Sequence, residues 1–443
     1  MYFWETYLSY RQYRKHRDTV TRPPEVADII ETDAYAKARS YKLDRHIFAF
    51  VHGLWSQIES TAILLLNLLP FFWHYSGHLM ASYAGFGSEY EISQSVVFVV
   101  LTSVLSTVLD LPWSLYDTFV IEQKHGFNKQ TLGFFIKDQL KKFVVSLAIG
   151  TPILCVALYI IQSGGPYFFL YLWLFCSIVI FFLMTIYPEL IAPLFDNFTP
   201  LPEGPLRRDI EALASRLEFP LKKLFVVEGS KRSAHSNAYL YGIWNNKRIV
   251  LYDTLLENAP KLAGAKEAEA DSVADSPEAS NDVDGEAGSK KKGCSDAEVV
   301  GVIGHELGHW KLYHNMCNLV ISEVNLLLCF CVFAWLYRRP ELYSAFGFPD
   351  SRPTLIGLLI IFQFIFAPYN AVLSFVMTAL TRRMEFAADA FAGALGYAGV
   401  LSSALVKLGR DNLSLPVDDW LYSAWHYSHP PVPERITALA KFQ

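Results

Sequence analysis

Two apolar runs, Phe143–Ile161 and Phe168–Tyr187, contain no Asp, Glu, Lys or Arg. Each approaches the roughly 20 helical residues needed to cross a hydrocarbon core about 30 Å thick. In that core a backbone can satisfy its N–H and C=O groups only within a helix or a closed barrel. Four further stretches qualify less strictly: 47–73, 95–115, 317–337 and 355–380. They carry polar groups at depth, namely Glu59 and Asn67, Asp110, Glu323 and Asn325, Gln363 and Asn370. Such groups face a bundle interior or a water-filled cavity, or else they hydrogen-bond one helix to another. Only 18% of the chain is charged, against about 25% in a soluble domain. A multi-span α-helical membrane protein follows.

Composition removes other classes. The net charge is −5 with no dominant basic tract, so no nucleic-acid partner is expected, because that affinity comes from Lys and Arg on phosphates. The six cysteines form no CxxC pair and fall mostly inside apolar stretches, which suits free thiols. The segment Arg11–Arg22 is basic and no apolar run precedes it, so no cleaved signal peptide is expected. The C-terminal Ala440-Lys441-Phe442-Gln443 is neither a prenylation box nor a retrieval signal.

Loop charges orient the spans. Residues 75–93 hold Glu89 and Glu91 but no Lys or Arg, whereas 116–142 holds Lys124, Lys129, Lys137, Lys141 and Lys142. The positive-inside rule puts the second loop and the basic N-terminus in the cytosol. Counting crossings then places 188–316 and 382–443 there too. The loop 338–354 falls opposite despite Arg338, Arg339 and Arg352. Four regions result: a membrane part over 1–187, a folded piece over 188–316, two further spans in 317–380, and a C-terminal part over 381–443.

The 188–316 insert reads as α+β. Leu206–Leu217 has helical apolar spacing, Leu224–Val227 and Arg248–Tyr252 read as short strands, and Trp244–Lys247 as a turn. Residues 261–294 have no aromatic residue and end in a lysine run followed by Gly293 and Cys294. Such a composition suits a solvated, disordered spacer.

The sharpest chemical signal is His305-Glu306-Leu307-Gly308-His309. On a helix, residues four apart share a face, so both imidazoles reach one zinc ion, while Glu306 can hold a water and take its proton. Gly308 leaves room for a close neighbour. A third ligand must come from elsewhere, because no third histidine follows at the short spacing used by metzincins. Glu385 and Asp389 supply it: Glu385 as ligand, Asp389 as acceptor for the distal N–H of a ligating histidine. Alone, two acids on one helix face are commonplace. Here two spans separate them from His305, so both segments lie on the same membrane side.

Two more clusters stand out. His429, in a Pro-rich turn, and Arg435 six residues on suit oxyanion stabilisation and carboxylate anchoring. Equally, the segment could be a capped loop with Arg435 exposed, and spacing does not choose. His235, Asn237, Ala238 and Tyr239 precede a strand and could present backbone to an extended peptide. By themselves they make a polar turn.

With these residues quoted, the chain resembles the type I CAAX prenyl proteases of animals. The matching stretches are Leu111–Asn128, Ile191–Gly204, Val226–Thr254, HELGHWKL from His305, LIGLLIIFQFIF from Leu355, EFAADAFA from Glu385 and WHYSHPPVPERI from Trp425. The resemblance implies that His305, His309 and Glu385 bind one Zn2+ per chain and that Glu306 is the catalytic base. It also implies that His429 and Arg435 are active-site residues and that Asn237–Tyr239 form a substrate strand. It implies a helical barrel around a large chamber, capped on the cytosolic side by an α+β zinc metalloprotease domain. Residence in the endoplasmic reticulum membrane, extending to the inner nuclear membrane, follows in the same way. Family members resembling this one carry a further hydrophobic segment ahead of the stretch matching Tyr2–Thr6. Six spans are counted here against their seven, so the first is expected to be absent or truncated.

The implied activity removes three C-terminal residues after a prenylated cysteine, with a second, upstream cut in farnesylated prelamin A. Its partners are prenylated peptides and the bilayer; sequence leaves the oligomeric state open. A quality-control membrane metalloprotease without a prenyl requirement is one rival, and a non-catalytic membrane scaffold is another. The sequons at Asn197 and Asn412 should stay unglycosylated if their segments face the cytosol.

Overall fold

The computed structural model describes residues 1–85, 87, 89–242, 246–257 and 292–443. It begins with the N-terminal helix α1 (Tyr2–Asp18), followed by α2 (Thr32–Leu65), α3 (Leu68–Ala84), α4 (Glu91–Tyr116), α5 (Leu132–Ser163) and α6 (Phe168–Ile186). Among the described residues, five helices are long and apolar enough to cross a membrane, within Glu91–Glu122, Leu132–Ser163, Gly165–Leu194, His314–Leu336 and Ala367–Asp411. The protein is a multi-pass α-helical membrane protein.

The surfaces of these helices bear this out. In α6, Leu170, Leu174, Ile178 and Phe182 repeat every four residues, and all are exposed, between 40% and 60%. A stripe of that kind matches hydrocarbon rather than water. The opposite face packs Phe168 and Leu172 against Phe330 and Phe333, which lie on the later helix α9 (His314–Leu336).

Two predicted spans take a different form. The stretch 47–73 is divided between α2 and α3, because Asn67 adopts a left-handed backbone (φ 52°) and ends the first hydrogen-bond ladder. The stretch 355–380 is divided at Phe366: a short apolar helix, α11 (Thr354–Leu359), runs on irregularly to Ile365. A new helix, α12 (Ala367–Ala392), then starts with Pro368 in its first turn. Proline has no N–H to continue the preceding ladder.

The polar residues at depth split into two groups. Glu59 and Asp110 line a cavity of about 350 Å3 together with His52, Ser56, Ser114 and Gln139. Glu323 and Asn325 instead join helices: Ser177 donates to Glu323 at 2.5 Å, and Tyr369 donates to Asn325 at 2.5 Å.

The remaining residues form an α+β layer. Helix α7 (Pro205–Arg216) coincides with the predicted helix. The sheet order is β1 (Phe198–Pro200), β2 (Leu221–Val227), β4 (Lys247–Tyr252), β3 (Ala238–Tyr241). β2 and β4 pair in parallel, the outer strands antiparallel. Among the described residues strand β3 is therefore an edge of the sheet, pairing along one side only. Helices α7 and α8 (Asp296–Lys311) cover one face, joined by α13 (Ala398–Asp411), in one core that runs from Leu201 to Leu439. The predicted spacer 261–294 lies outside the described residues up to 291, as do Trp244 and Asn245 of the predicted turn at 244–247, whose Lys247 instead begins β4. Where description resumes, Cys294 bridges to Leu256.

Candidate active site

Helix α8 opens with a capping box: the Ser295 backbone N–H donates to Glu298 while the Ser295 side chain caps the first turn. Glu298 also accepts from Ser403 and Lys407 of α13, which ties the helix start to the layer's core. From that fixed start, His305 and His309 emerge on one face, their Nε2 atoms 3.2 Å apart. Helix α12 crosses close by. A Cβ at Gly308 would meet the Ala388 backbone at 3.2 Å and Phe391 at 3.1 Å, so the glycine permits this approach. The crossing helix buries Met384, Glu385, Ala388, Asp389 and Ala392 on one stripe.

That crossing delivers the third donor. Glu385 Oε1 lies 3.2 Å from His309 Nε2 and Oε2 lies 3.5 Å from His305 Nε2. One atom from each of the three residues fits within 4.8 Å of the others. A metal ion suits this donor set. His305 Nδ1 faces Asp389 Oδ1 at 2.9 Å; a proton on Nδ1 leaves the Nε2 lone pair aimed inward. Two imidazole nitrogens 3.2 Å apart cannot both carry protons facing each other. Glu385 Oε2 is buried without a well-directed hydrogen bond, although His429 Nδ1 stands 2.8 Å away. Burial opposes a charge on His305, yet the facing carboxylates of Asp389 and Glu385 outweigh it and raise its pKa to about 9. The site therefore favours a cation at that nitrogen.

Glu306 is different. Its carboxylate makes no hydrogen bond or ion pair among the described residues. Burial raises its pKa, against the pull of His305 and His309. A carboxylate left free beside a metal triad is placed to exchange protons.

Arg435 is buried, which decides between the two readings of its segment. It comes from α15 (Val432–Leu439) and grips Asp389 with two hydrogen bonds, at 2.8 and 2.7 Å. Arg435, Asp389 and His305 thus form a chain ending at the inner face of the site. His429 is mostly exposed, with its Nδ1 against Glu385.

The 235–239 stretch divides. Asn237 leads into β3, where Ala238 pairs with Leu251 and Tyr239 with Val250, and β3 packs against α8. His235 instead stacks on Phe127 at 4.1 Å and meets Asn412 at 3.2 Å and Glu122 at 3.5 Å.

Several contributors carry no sequence signal of their own. His314 places its Nδ1 2.9 Å from His309 Nδ1. Helix α1 holds the segment leading to His429: Arg11 pairs with Asp419, Gln12 donates to Asp418, and Trp425 donates to Glu5. These partners lie about four hundred residues apart, beyond any local pattern. The basic charge of α1 reads in the sequence only as a marker of orientation.

The chain is similar to known proteins along its whole length. Residues 200–443 match Peptidase family M48, and residues 9–197 match the CAAX prenyl protease N-terminal region, described as five membrane helices. The chain is similar to the CAAX prenyl protease 1 homolog of Homo sapiens, 55% identical over 99% of this chain and 93% of that one. It is also similar to the Caenorhabditis elegans homolog, 48% identical over 100% of this chain and 96% of the relative. The crystal structure of S. mikatae Ste24p superposes with a TM-score of 0.84 at 36% identity, covering 99% of this chain and 96% of that one. With more than half its length matching one peptidase profile, and relatives this similar end to end, the chain belongs to peptidase family M48 and is a membrane metalloendopeptidase.

Proposed function

We propose that the chain is a zinc endopeptidase that removes the three residues following a prenylated cysteine at a protein's C-terminus. The observation that carries the peptidase chemistry is Glu306, a free carboxylate beside the His305, His309 and Glu385 triad. The substrate class comes from the relatives, which bear the name CAAX prenyl protease 1 homolog. Two imidazoles and one carboxylate, with a position left for water, are the donor set of catalytic zinc proteases.

Zinc bound there supplies Lewis-acid stabilisation and an acidified water. The rest belongs to the chain. Glu306 accepts a proton from the attacking water and returns it to the leaving amine. Asp389, held by Arg435, keeps the proton of His305 on Nδ1 and its lone pair inward. His429 stands exposed over Glu385, where its ring can donate to the developing oxyanion. The free edge of β3 offers backbone groups at Ala238 and Tyr239 to an extended peptide, which fixes the scissile bond over Glu306.

We place the site on the cytosolic face of the endoplasmic reticulum membrane, with the inner nuclear membrane as a second location. The lysine-rich 116–142 loop supports that orientation, and a lipidated substrate is already concentrated at such a surface. An upstream cut in farnesylated prelamin A would use the same centre. The test compares a farnesylated CAAX peptide with its unmodified twin on purified enzyme. Cleavage of the farnesylated peptide alone, lost in Glu306→Gln, is expected. Equal cleavage of both would favour a quality-control protease instead.

A further inference from the structure

The loop bearing His429 also forms one wall of a groove of about 220 Å3. Ile30, Leu405, Leu415 and Val432 make its walls aliphatic, His429 stands in its lining, and Lys42 of α2 lines it as well. The Lys42 ammonium is desolvated, which holds its pKa below the ordinary lysine value. Among the described residues no carboxylate comes within ion-pair distance of it. Asp418 shares the groove but is engaged elsewhere, accepting from Tyr427 at 2.9 Å and from Gln12 at 2.8 Å. A desolvated cation without an ion-pair partner is costly to keep. Aliphatic walls with a single unpaired cation define a ligand: a short apolar peptide end bearing an anion.

We propose that Lys42 binds the free α-carboxylate at the substrate's C-terminus, with the aliphatic walls receiving the terminal side chains. This deepens the function proposed above and rests on it. Three extended residues span about 10 Å, and the groove shares with the site His429, which touches Glu385. The arrangement would let the enzyme count residues from the chain end. A substrate whose scissile bond lies far from its C-terminus would gain nothing from Lys42.

The test uses full-length enzyme and two farnesylated peptides that differ only in ending as a free acid or an amide. Wild type should prefer the acid by about 10- to 100-fold in kcat/KM, the range of a hydrogen bond to a charged group. Most of that should appear in KM. In Lys42→Gln the acid should fall to the level of the amide, whose own rate stays unchanged, and Lys42→Arg should recover part of the preference. Equal loss on acid and amide in Lys42→Gln would overturn the proposal, because it marks a structural role. So would a wild type that ignores the difference, a result needing no variant at all. A wild type that cleaves neither farnesylated peptide would sink the proposed function instead.

Discussion

Helices α6 and α7 carry comparable apolar stripes to opposite ends. In α7, Leu206, Ile210 and Leu213 are buried while Arg208, Asp209 and Glu211 face outward. In α6, Leu170, Leu174, Ile178 and Phe182 face outward with no charge near them. One stripe is driven inward by water, the other is already at home in hydrocarbon. The active site sits on the seam between the two regimes. Two histidines come from α8, fixed in the water-excluded core. The carboxylate comes from α12, whose apolar first half qualifies as a membrane span. On the function proposed above, catalysis depends on two elements held in place by different solvents.

The strongest test of that seam removes each side's contribution in turn. Glu306→Gln should cost about a thousandfold or more in kcat/KM while leaving one metal per chain, as read by elemental analysis. Glu385→Ala, on the membrane-derived helix, should lose activity and metal together. If Glu385→Ala kept its metal, the seam would not be where the ion is held.

Next in size is the buried relay. Arg435→Met leaves Asp389 buried without its cation, which should destabilise the α+β layer by about 3–5 kcal/mol. Metal affinity should drop by roughly 10- to 100-fold, seen by competition with a chelator.

The two apolar stripes give a contrast in stability. Ile210→Ala opens a cavity in the soluble core and should cost about 2–5 kcal/mol. Ile178→Ala, exposed to lipid, should change thermal stability in detergent by less than about 1 kcal/mol. Similar losses at both positions would erase the comparison.

Gly308→Ala is expected to pry α8 from α12 and weaken metal binding by about tenfold. Gly53→Ala, whose added Cβ meets nothing within 4 Å, should leave it unchanged.

A last contrast is in pH. Without metal, His305 titrates near 9, so at neutral pH a proton must leave as metal enters. Affinity should therefore fall by about tenfold per unit as pH drops below that value. Calorimetry in buffers of different ionisation enthalpy reads the released proton.

Local spacing made the site partly legible. His305 and His309 share a face wherever a helix forms, and a helix with a capping signal at Ser295 and Glu298 forms readily. Glu385 was accessible only through counting membrane crossings. For Arg435, sequence left an exposed cap and a buried anchor equally open, because burial depends on which helix lies opposite. The division of 47–73 escaped hydropathy because the turn at Asn67 is a matter of backbone angle, and apolar composition continues through it. The clamp of α1 on Asp418, Asp419 and Trp425 escaped for another reason: both partners are polar segments with no pattern that links them.

By itself the amino-acid order settled most of the segments that seek hydrocarbon, where one helix presents two imidazoles, and where strands β2 and β4 run. Those properties depend on neighbours within a turn or two, and solvent reads them directly. Only the folded chain decided that Arg435 is buried against Asp389, that His235 stacks on Phe127, and that Lys42 faces a groove without an ion-pair partner. Each of those is a meeting of residues far apart in sequence, and whether a charge there is paired, buried or free depends on packing no local pattern encodes.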